Sequence, residues 1–318
     1  NIKNTSGINS GDTINIGNVN GKNFIITTPL TITSINSTSV LSNGTITLST
    51  GSDGTTITDL TLISNTTNGI TVYSSNNTIT KNHIEIMGNN SYAIMALGGD
   101  NNIISYNTIN INGTNPYTYA IDIGASWTDG TATIKGYSIK GNNITANIDN
   151  NYVAGIYSSG LINSEIADNY FALSSNKFVY GIATSNNWGL TNTTGNITIS
   201  KNKVIGLGEM VYLIETFKNT EMTITGNNLS GIGDGIYAIA GSALTNSKIN
   251  NNEITVLGGN IANMNITNND VIPNGNAGIT LIADSTGNTI SANNLNILDA
   301  YGMNILGSSN DILNNNIN

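Results

Sequence analysis

The stretch Ile79-Thr80-Lys81-Asn82-His83-Ile84 decides the fold. Isoleucine, two residues of any kind, asparagine, one residue and another aliphatic leave no room for a useful helix. They fit two short strands meeting at a corner. The pattern returns as Ile104…Asn107…Ile109, Ile139…Asn142…Ile144, Ile166…Asn169…Phe171 and Ile199…Asn202…Val204. It continues as Ile224…Asn227…Leu229, Ile249…Asn252…Ile254, Ile266…Asn269…Val271, Ile290…Asn293…Leu295 and Ile312…Asn315…Ile317. Steps between successive asparagines run from 17 residues (Asn252 to Asn269) to 35 (Asn107 to Asn142). Self-similarity at that period is the mark of a solenoid, in which each repeat buries its apolar face only by stacking. Asparagine is expected at the bend itself, because its short amide tolerates left-handed φ. Stacked coil upon coil, Asn82, Asn107, Asn142, Asn169, Asn202, Asn227, Asn252, Asn269, Asn293 and Asn315 would form a hydrogen-bonded ladder.

A second motif falls between most copies. Examples are Gly69-Ile70-Thr71-Val72, Ala93-Ile94-Met95-Ala96, Ala120-Ile121-Asp122-Ile123, Gly181-Ile182-Ala183 and Gly235-Ile236-Tyr237-Ala238. Each alternates an apolar residue with a free one, the period-two mark of a strand with one buried face. Three strands per turn make an all-β parallel β-helix of about a dozen coils, roughly 55–60 Å long at one strand spacing per coil. Residues 1–64 carry strands without the corner Asn and read as opening coils. Residues 65–318 read as regular coils with longer loops at about 110–138 and 183–197, the whole forming one continuous solenoid.

The alternation of Gly-Ile with Asn-x-Ile-x-x-Asn-x-Ile resembles the right-handed parallel β-helix repeats of archaeal surface proteins, the adhesin-like proteins of methanogens in particular. The opening Phe24-Ile25-Ile26-Thr27-Thr28-Pro29-Leu30-Thr31-Ile32 is similar to their entry into the helix, as is Gly51-Ser52-Asp53-Gly54-Thr55-Thr56-Ile57. The resemblance implies a right-handed, single-stranded solenoid with a secreted structural or adhesive role and no catalytic residues to transfer. The same architecture also carries polysaccharide lyases, hydrolases, epimerases and phage tailspikes, so fold alone does not name the function.

Composition narrows the partners. The net charge is −9, and all ten basic residues are lysine, which argues against nucleic acid, whose binding needs clustered positive charge. The absence of Arg also argues against an Arg-fork site for an anionic polymer. With no Cys, disulfides and thiolate metal sites are both excluded. No apolar run approaches a membrane span. The single histidine, His83, follows a ladder Asn and reads as a solvated side chain. Glu253 and Asp270 each follow a ladder Asn and would lie one coil apart, although an acid pair of that kind arises readily by chance in a long array. No catalytic, cofactor or metal residues are expected, and the chain is not expected to be an enzyme.

One face stands out. Trp127 and Trp188, the only two tryptophans, sit in the two longest insertions, at the same station of their coils, among Tyr117, Tyr119, Tyr157 and Tyr180. Exposed aromatic rings on a stiff scaffold stack on sugar rings or anchor a partner; the simpler reading is that each indole covers its own insertion. Sequons at Asn36, Asn65, Asn112, Asn143, Asn192, Asn228 and Asn265 permit glycosylation, at a frequency that composition alone produces.

The first functional reading is an extracellular structural or adhesive cell-surface protein, a filament or surface-layer subunit. Its partner would be itself, head to tail, or other cell-surface proteins. The alternative is a carbohydrate-binding or polysaccharide-active β-helix module using the aromatic face, with glycans as ligands. The third is a phage tailspike.

Overall fold

The computed structural model describes residues 7–65, 68–87, 92–113, 117–124, 133–149, 152–185, 194–258, 277–282, 285–298 and 301–318. Among them there is no helix; every paired strand is parallel, and the chain winds as a right-handed β-helix. The first face is a twelve-stranded sheet running in chain order from Thr13–Ile16 to Asp311–Leu313. The second and third faces form one continuous sheet, since Lys203–Phe217 and Asn228–Ser242 run through both without a break. Twelve strands stacked about 4.8 Å apart give a rod on the order of 53 Å.

Register explains the recurring isoleucine. On the first face Ile57, Ile79, Ile104, Ile139, Ile166, Ile199, Ile224, Ile249 and Ile290 lie directly opposite one another in sequence. All nine are 0 or 1 % exposed. The second face contributes Leu62, Ile84, Ile109, Ile144, Phe171, Val204 and Leu229, and the third Ile70, Ile94, Ile121, Ile156, Ile182, Ile214 and Ile239. Each fully buried side chain contributes about 1.5–3 kcal/mol, but only when a neighbouring coil covers it. Stability therefore belongs to the stack rather than to any one coil.

The asparagine ladder is present, with two changes from expectation. Asn82, Asn107, Asn142, Asn169, Asn202, Asn227, Asn252 and Asn293 each donate backbone N–H and Nδ2 to the Oδ1 of the next rung, ending on Asn315. The rungs are buried, and each Nδ2 also donates to a first-face carbonyl, as Asn169 does to Ile139 at 2.9 Å. The left-handed residue is not the asparagine but the one before it: Lys81, Tyr106, Gly141, Asp168, Lys201, Gly226, Asn251, Ala292 and Asn314 all have φ between 53° and 65°. That outward-facing residue turns the corner, and the turn aims the following amide inward. Asn269 is not the next rung, because Asn252 bonds straight to Asn293; Asn269 itself lies outside the described residues. The coil there closes over 41 residues.

The other end of the first-face strands carries a second, mixed ladder. Asn77 donates to Asn102, whose Nδ2 donates to the Tyr137 hydroxyl at 2.8 Å, while the Tyr137 N–H donates to Ser164 Oγ. Farther along, Ser247 donates to Asn288 and Asn288 to Asn310.

Candidate functional site

The third face is shaped by its small-residue–Ile motif. In Tyr117–Gly124 the side chains alternate outward and inward until Ala120 and Ile121, which are both buried. Two consecutive inward residues bend the strand and shift its phase, so the outward positions are Tyr117 and Tyr119 before the bend and Asp122 after it. At Gly155 a small residue is a packing requirement, since a Cβ would stand 2.5 Å from the Phe171 ring and 2.7 Å from the Gly181 carbonyl, whereas the bend of Lys203–Phe217 buries Leu213 at that position.

Parallel register turns these outward positions into columns. Before the bend run Tyr92, Tyr119, Ala154, Tyr180, Tyr212 and Tyr237; after it run Met95, Asp122, Tyr157, Ala183, Glu215, Ala240 and Thr280. The rings stack along the rod with centroids 5.4 Å apart for Tyr92–Tyr119 and 5.1 Å for both Tyr180–Tyr212 and Tyr212–Tyr237. Where Ala154 interrupts the first column, Tyr157 crosses from the second to stack on Tyr119 at 5.3 Å. Outside them, Tyr117–Tyr152–Phe178 form a shorter stack at 5.1 and 4.5 Å.

The columns enclose a cavity of about 380 Å³. Tyr117, Tyr119, Tyr152, Tyr157, Tyr180, Tyr212 and Phe217 line it, with Glu215, Ser185, Thr216, Ser242 and Thr280 as its polar side chains. It crosses six coils, so it is a groove on the order of 24 Å long. The Tyr157 hydroxyl is 3.1 Å from Ser185 Oγ, and Thr280 Oγ1 is buried with no hydrogen-bond partner among the described residues. Burial, and next Glu215, pushes the Tyr180 hydroxyl well above its ordinary range; burial does the same for Tyr119, and raises Tyr237 to about 12. These phenols are therefore neutral and able to donate at any physiological pH. Burial also pushes the Asp122 carboxyl up to about 7.

Asp122 and Glu215 stand three coils apart in one column, on the order of 14 Å. That exceeds the roughly 5–9.5 Å between the paired carboxyls of glycoside hydrolysis, so the two do not act as such a pair.

Tyr117, Tyr119, Tyr157 and Tyr180 are thus brought together in one groove, whereas Trp127 and Trp188 lie outside the described residues. Tyr92, Tyr212, Tyr237, Asp122 and Glu215 were not picked out by the sequence. Aligning the chain on its small-residue–Ile motif finds Tyr92 and Asp122, beside Ala93-Ile94 and Ala120-Ile121, but not the others: Tyr212 and Glu215 flank Leu213-Ile214, and in register the bend after Tyr237 is Ala238-Ile239 rather than the Gly235-Ile236 copy that the sequence suggests. His83 is half-buried on the second face between Thr61 and Thr108, away from the groove. Glu253 Oε2 accepts from Asn228 Nδ2 at 3.0 Å, and Asp270 lies outside the described residues. Of the sequon asparagines, Asn36, Asn65, Asn112, Asn143 and Asn228 are exposed; Asn192 and Asn265 lie outside the described residues. Among the described residues no three His, Cys, Asp or Glu are grouped to hold a metal ion, and no helix is long and apolar enough to cross a membrane.

Fold and groove together define a right-handed parallel β-helix with an aromatic third face. No protein-family model matches the chain, and no curated protein matches it in sequence. Among solved structures it is similar to DFA-IIIase from Arthrobacter chlorophenolicus A6 without its lid, with TM-score 0.55 and 14% identity, covering 96% of this chain and 70% of that one. The same enzyme in complex with GF2 gives TM-score 0.54 and 13% identity, covering 92% and 67%. The Dettilon tailspike protein gives TM-score 0.43 at 14% identity, covering 90% and 62%, too distant to carry an argument. These likenesses show the fold.

They also correct one expectation. The expectation of a non-enzyme rests on a chain without Arg whose single histidine, His83, reads as solvated. The rod it matches over nearly its whole length is a carbohydrate-active enzyme. Neither feature is ground for excluding catalysis on this scaffold.

Proposed function

We propose that this chain is a carbohydrate-active β-helix module that holds a glycan along the tyrosine groove of its third face, outside the cytoplasm. The observation that carries the reading is the groove itself. Seven aromatic side chains on a rigid ladder surround a cavity of about 380 Å³ that also presents hydroxyls and one carboxylate. Sugar rings offer C–H faces to stack on aromatic rings and hydroxyls to pair with polar groups, and a predominantly apolar cleft with a few convergent polar groups is how small-molecule sites are built. Such a groove also serves an adhesive surface protein, whose partner would then be a glycan coat.

The test is calorimetric titration of the purified chain with a panel of neutral, amino and acidic oligosaccharides, with product analysis of the same mixtures by mass spectrometry. Binding by at least one member, weakened roughly tenfold or more in Tyr180→Ala and Tyr212→Ala, supports the reading; each lost stacking contact is worth about 1.4 kcal/mol on that scale. No binding across the panel removes it.

A further inference from the structure

We propose that the glycan held in this groove carries a positive charge: a sugar with a free amino group, whose ammonium sits over Ala183 between the Tyr157 ring and the Glu215 carboxylate. The inference rests on the glycan reading above and names its ligand class. Three observations carry it.

The first is shape. In the column after the bend, Tyr157, Ala183, Glu215 and Ala240 follow one another coil by coil. The two alanines remove side chains on either side of Glu215, and in the neighbouring column Ser185 and Ser242 stand on either side of Phe217, so the open space lies over Ala183 and Ser185 on one side and over Ala240 and Ser242 on the other. Tyr157 and Glu215 are two coils apart, about 10 Å at the backbone. The slot between them opens onto the Tyr180 and Tyr212 rings.

The second is sign. Among the described residues Glu215 is the only charged one lining the cavity, and no lysine lines it. The other carboxyl of the same column, Asp122, lies beyond Tyr157, and burial keeps it protonated below a pH of about 7, so at pH 5.5 the groove's charge is that of Glu215. The π-faces of the tyrosines add negative potential, which attracts an ammonium and repels a carboxylate. An anionic glycan meets like charge at Glu215. A neutral one gains stacking alone.

The third is an unmet hydroxyl. Thr280 lines the groove two coils beyond Glu215 and is 1 % exposed, and its Oγ1 has no hydrogen-bond partner among the described residues. A buried hydroxyl left unpaired is costly. A sugar hydroxyl reaching it while the ammonium occupies the slot would satisfy it, which favours an oligosaccharide over a single amine.

The experiment compares a glucosamine hexasaccharide, its fully N-acetylated counterpart, a neutral glucan hexasaccharide and an oligogalacturonate. Each is titrated calorimetrically into the intact chain at pH 5.5 in low and high salt. The free-amine oligomer is expected to bind roughly tenfold or more tighter than its N-acetylated counterpart. That preference should shrink at high salt and fall below roughly threefold in Glu215→Gln. If the variant does not fold, as judged by far-UV circular dichroism, the salt dependence of the wild-type preference decides. Equal affinity for the amine and N-acetyl forms, or a preference that survives both salt and Glu215→Gln, overturns the charge inference and leaves the glycan reading standing. Tightest binding of the oligogalacturonate does the same. No binding by any of the four overturns both.

Discussion

Replacing Asn169 by alanine tests whether the asparagine ladder holds the rod together or merely decorates it. Asn169 Oδ1 accepts two hydrogen bonds from Asn142, from its N–H and its Nδ2, both at 2.9 Å. Asn169 Nδ2 donates to the Ile139 carbonyl at 2.9 Å and to Asn202 Oδ1 at 3.0 Å. Asn142 Nδ2 keeps its bonds to the Ile104 and Lys140 carbonyls, and Asn202 Oδ1 still accepts from the Asn169 N–H. The Asn142 N–H is left unpaired, whereas the Ile139 carbonyl loses its second bond and keeps the ladder bond that pairs its strand with Ser164–Ala167. A buried unpaired group costs about 1–3 kcal/mol and a lost bond about 0.5–1.5, so Asn169→Ala should cost roughly 2–4 kcal/mol. The control is Asn228→Ala, whose exposed side chain bonds only Glu253 on the outer surface and should cost less than about 1 kcal/mol. Urea titrations followed by far-UV circular dichroism, with slopes compared to check that each variant unfolds in one step, measure both. If Asn169→Ala falls within about 0.5 kcal/mol of Asn228→Ala, the ladder argument is refuted.

Three further outcomes are expected. The Asp122 carboxyl holds its proton up to a pH of about 7 in the folded chain and releases it near 3.8 once unfolded. The native state therefore binds more protons between those values, and stability falls as pH rises through that window, by at most about 4 kcal/mol at 1.36 kcal/mol per unit, then levels off. Asp122→Asn should match wild type at pH 4 and exceed it at pH 8 in urea melts; parallel profiles for the two proteins would show that this carboxyl is not desolvated. Gly155→Ala should lower stability by roughly 1–3 kcal/mol, because its Cβ meets the Phe171 ring and the Gly181 carbonyl; a thermal midpoint equal to wild type would contradict the bend packing. Tyr137→Phe removes the hydroxyl that accepts from Asn102 Nδ2 at 2.8 Å and donates to the Gly98 carbonyl at 3.2 Å. It should cost about 1–3 kcal/mol, and faster amide exchange around residues 98–102 would locate the loss.

What could be read from the residues divides along the line between inward and outward positions. Ile79-x-x-Asn82-x-Ile84 names three inward side chains and a corner, and because the core needs the same shapes in every coil, the pattern repeats visibly. The residue that turns the corner faces solvent and only has to tolerate left-handed φ; Lys81, Tyr106, Asp168 and Ala292 all do so. No residue type marks it, which is why the conspicuous asparagine drew the assignment instead. Ile266…Asn269…Val271 carries the inward letters, yet register passes from Asn252 to Asn293 without it. A six-residue pattern in an Asn- and Ile-rich chain cannot by itself separate a rung from a coincidence.

The groove was half legible for a related reason. Period-two counting from Tyr117 and Tyr119 predicts that residue 121 faces out, but the double inward step at Ala120-Ile121 moves the outward position to Asp122. The neighbouring coils repeat that shift, so strand counting loses the second column, and the small-residue–Ile motif recovers it only in part, because the coil of Glu215 bends at Leu213-Ile214 and the next at Ala238-Ile239. The same division explains why a chain only 14% identical can share this rod with an enzyme. Stacking and ladder bonds constrain the inward columns, while an outward side chain on a β-helix can change with little effect on the fold. Function on this scaffold therefore has to be read from columns such as Tyr157, Ala183 and Glu215, which the fold does not dictate. Substitutions there should alter ligand choice with little change in stability, and those in the inward columns should do the reverse.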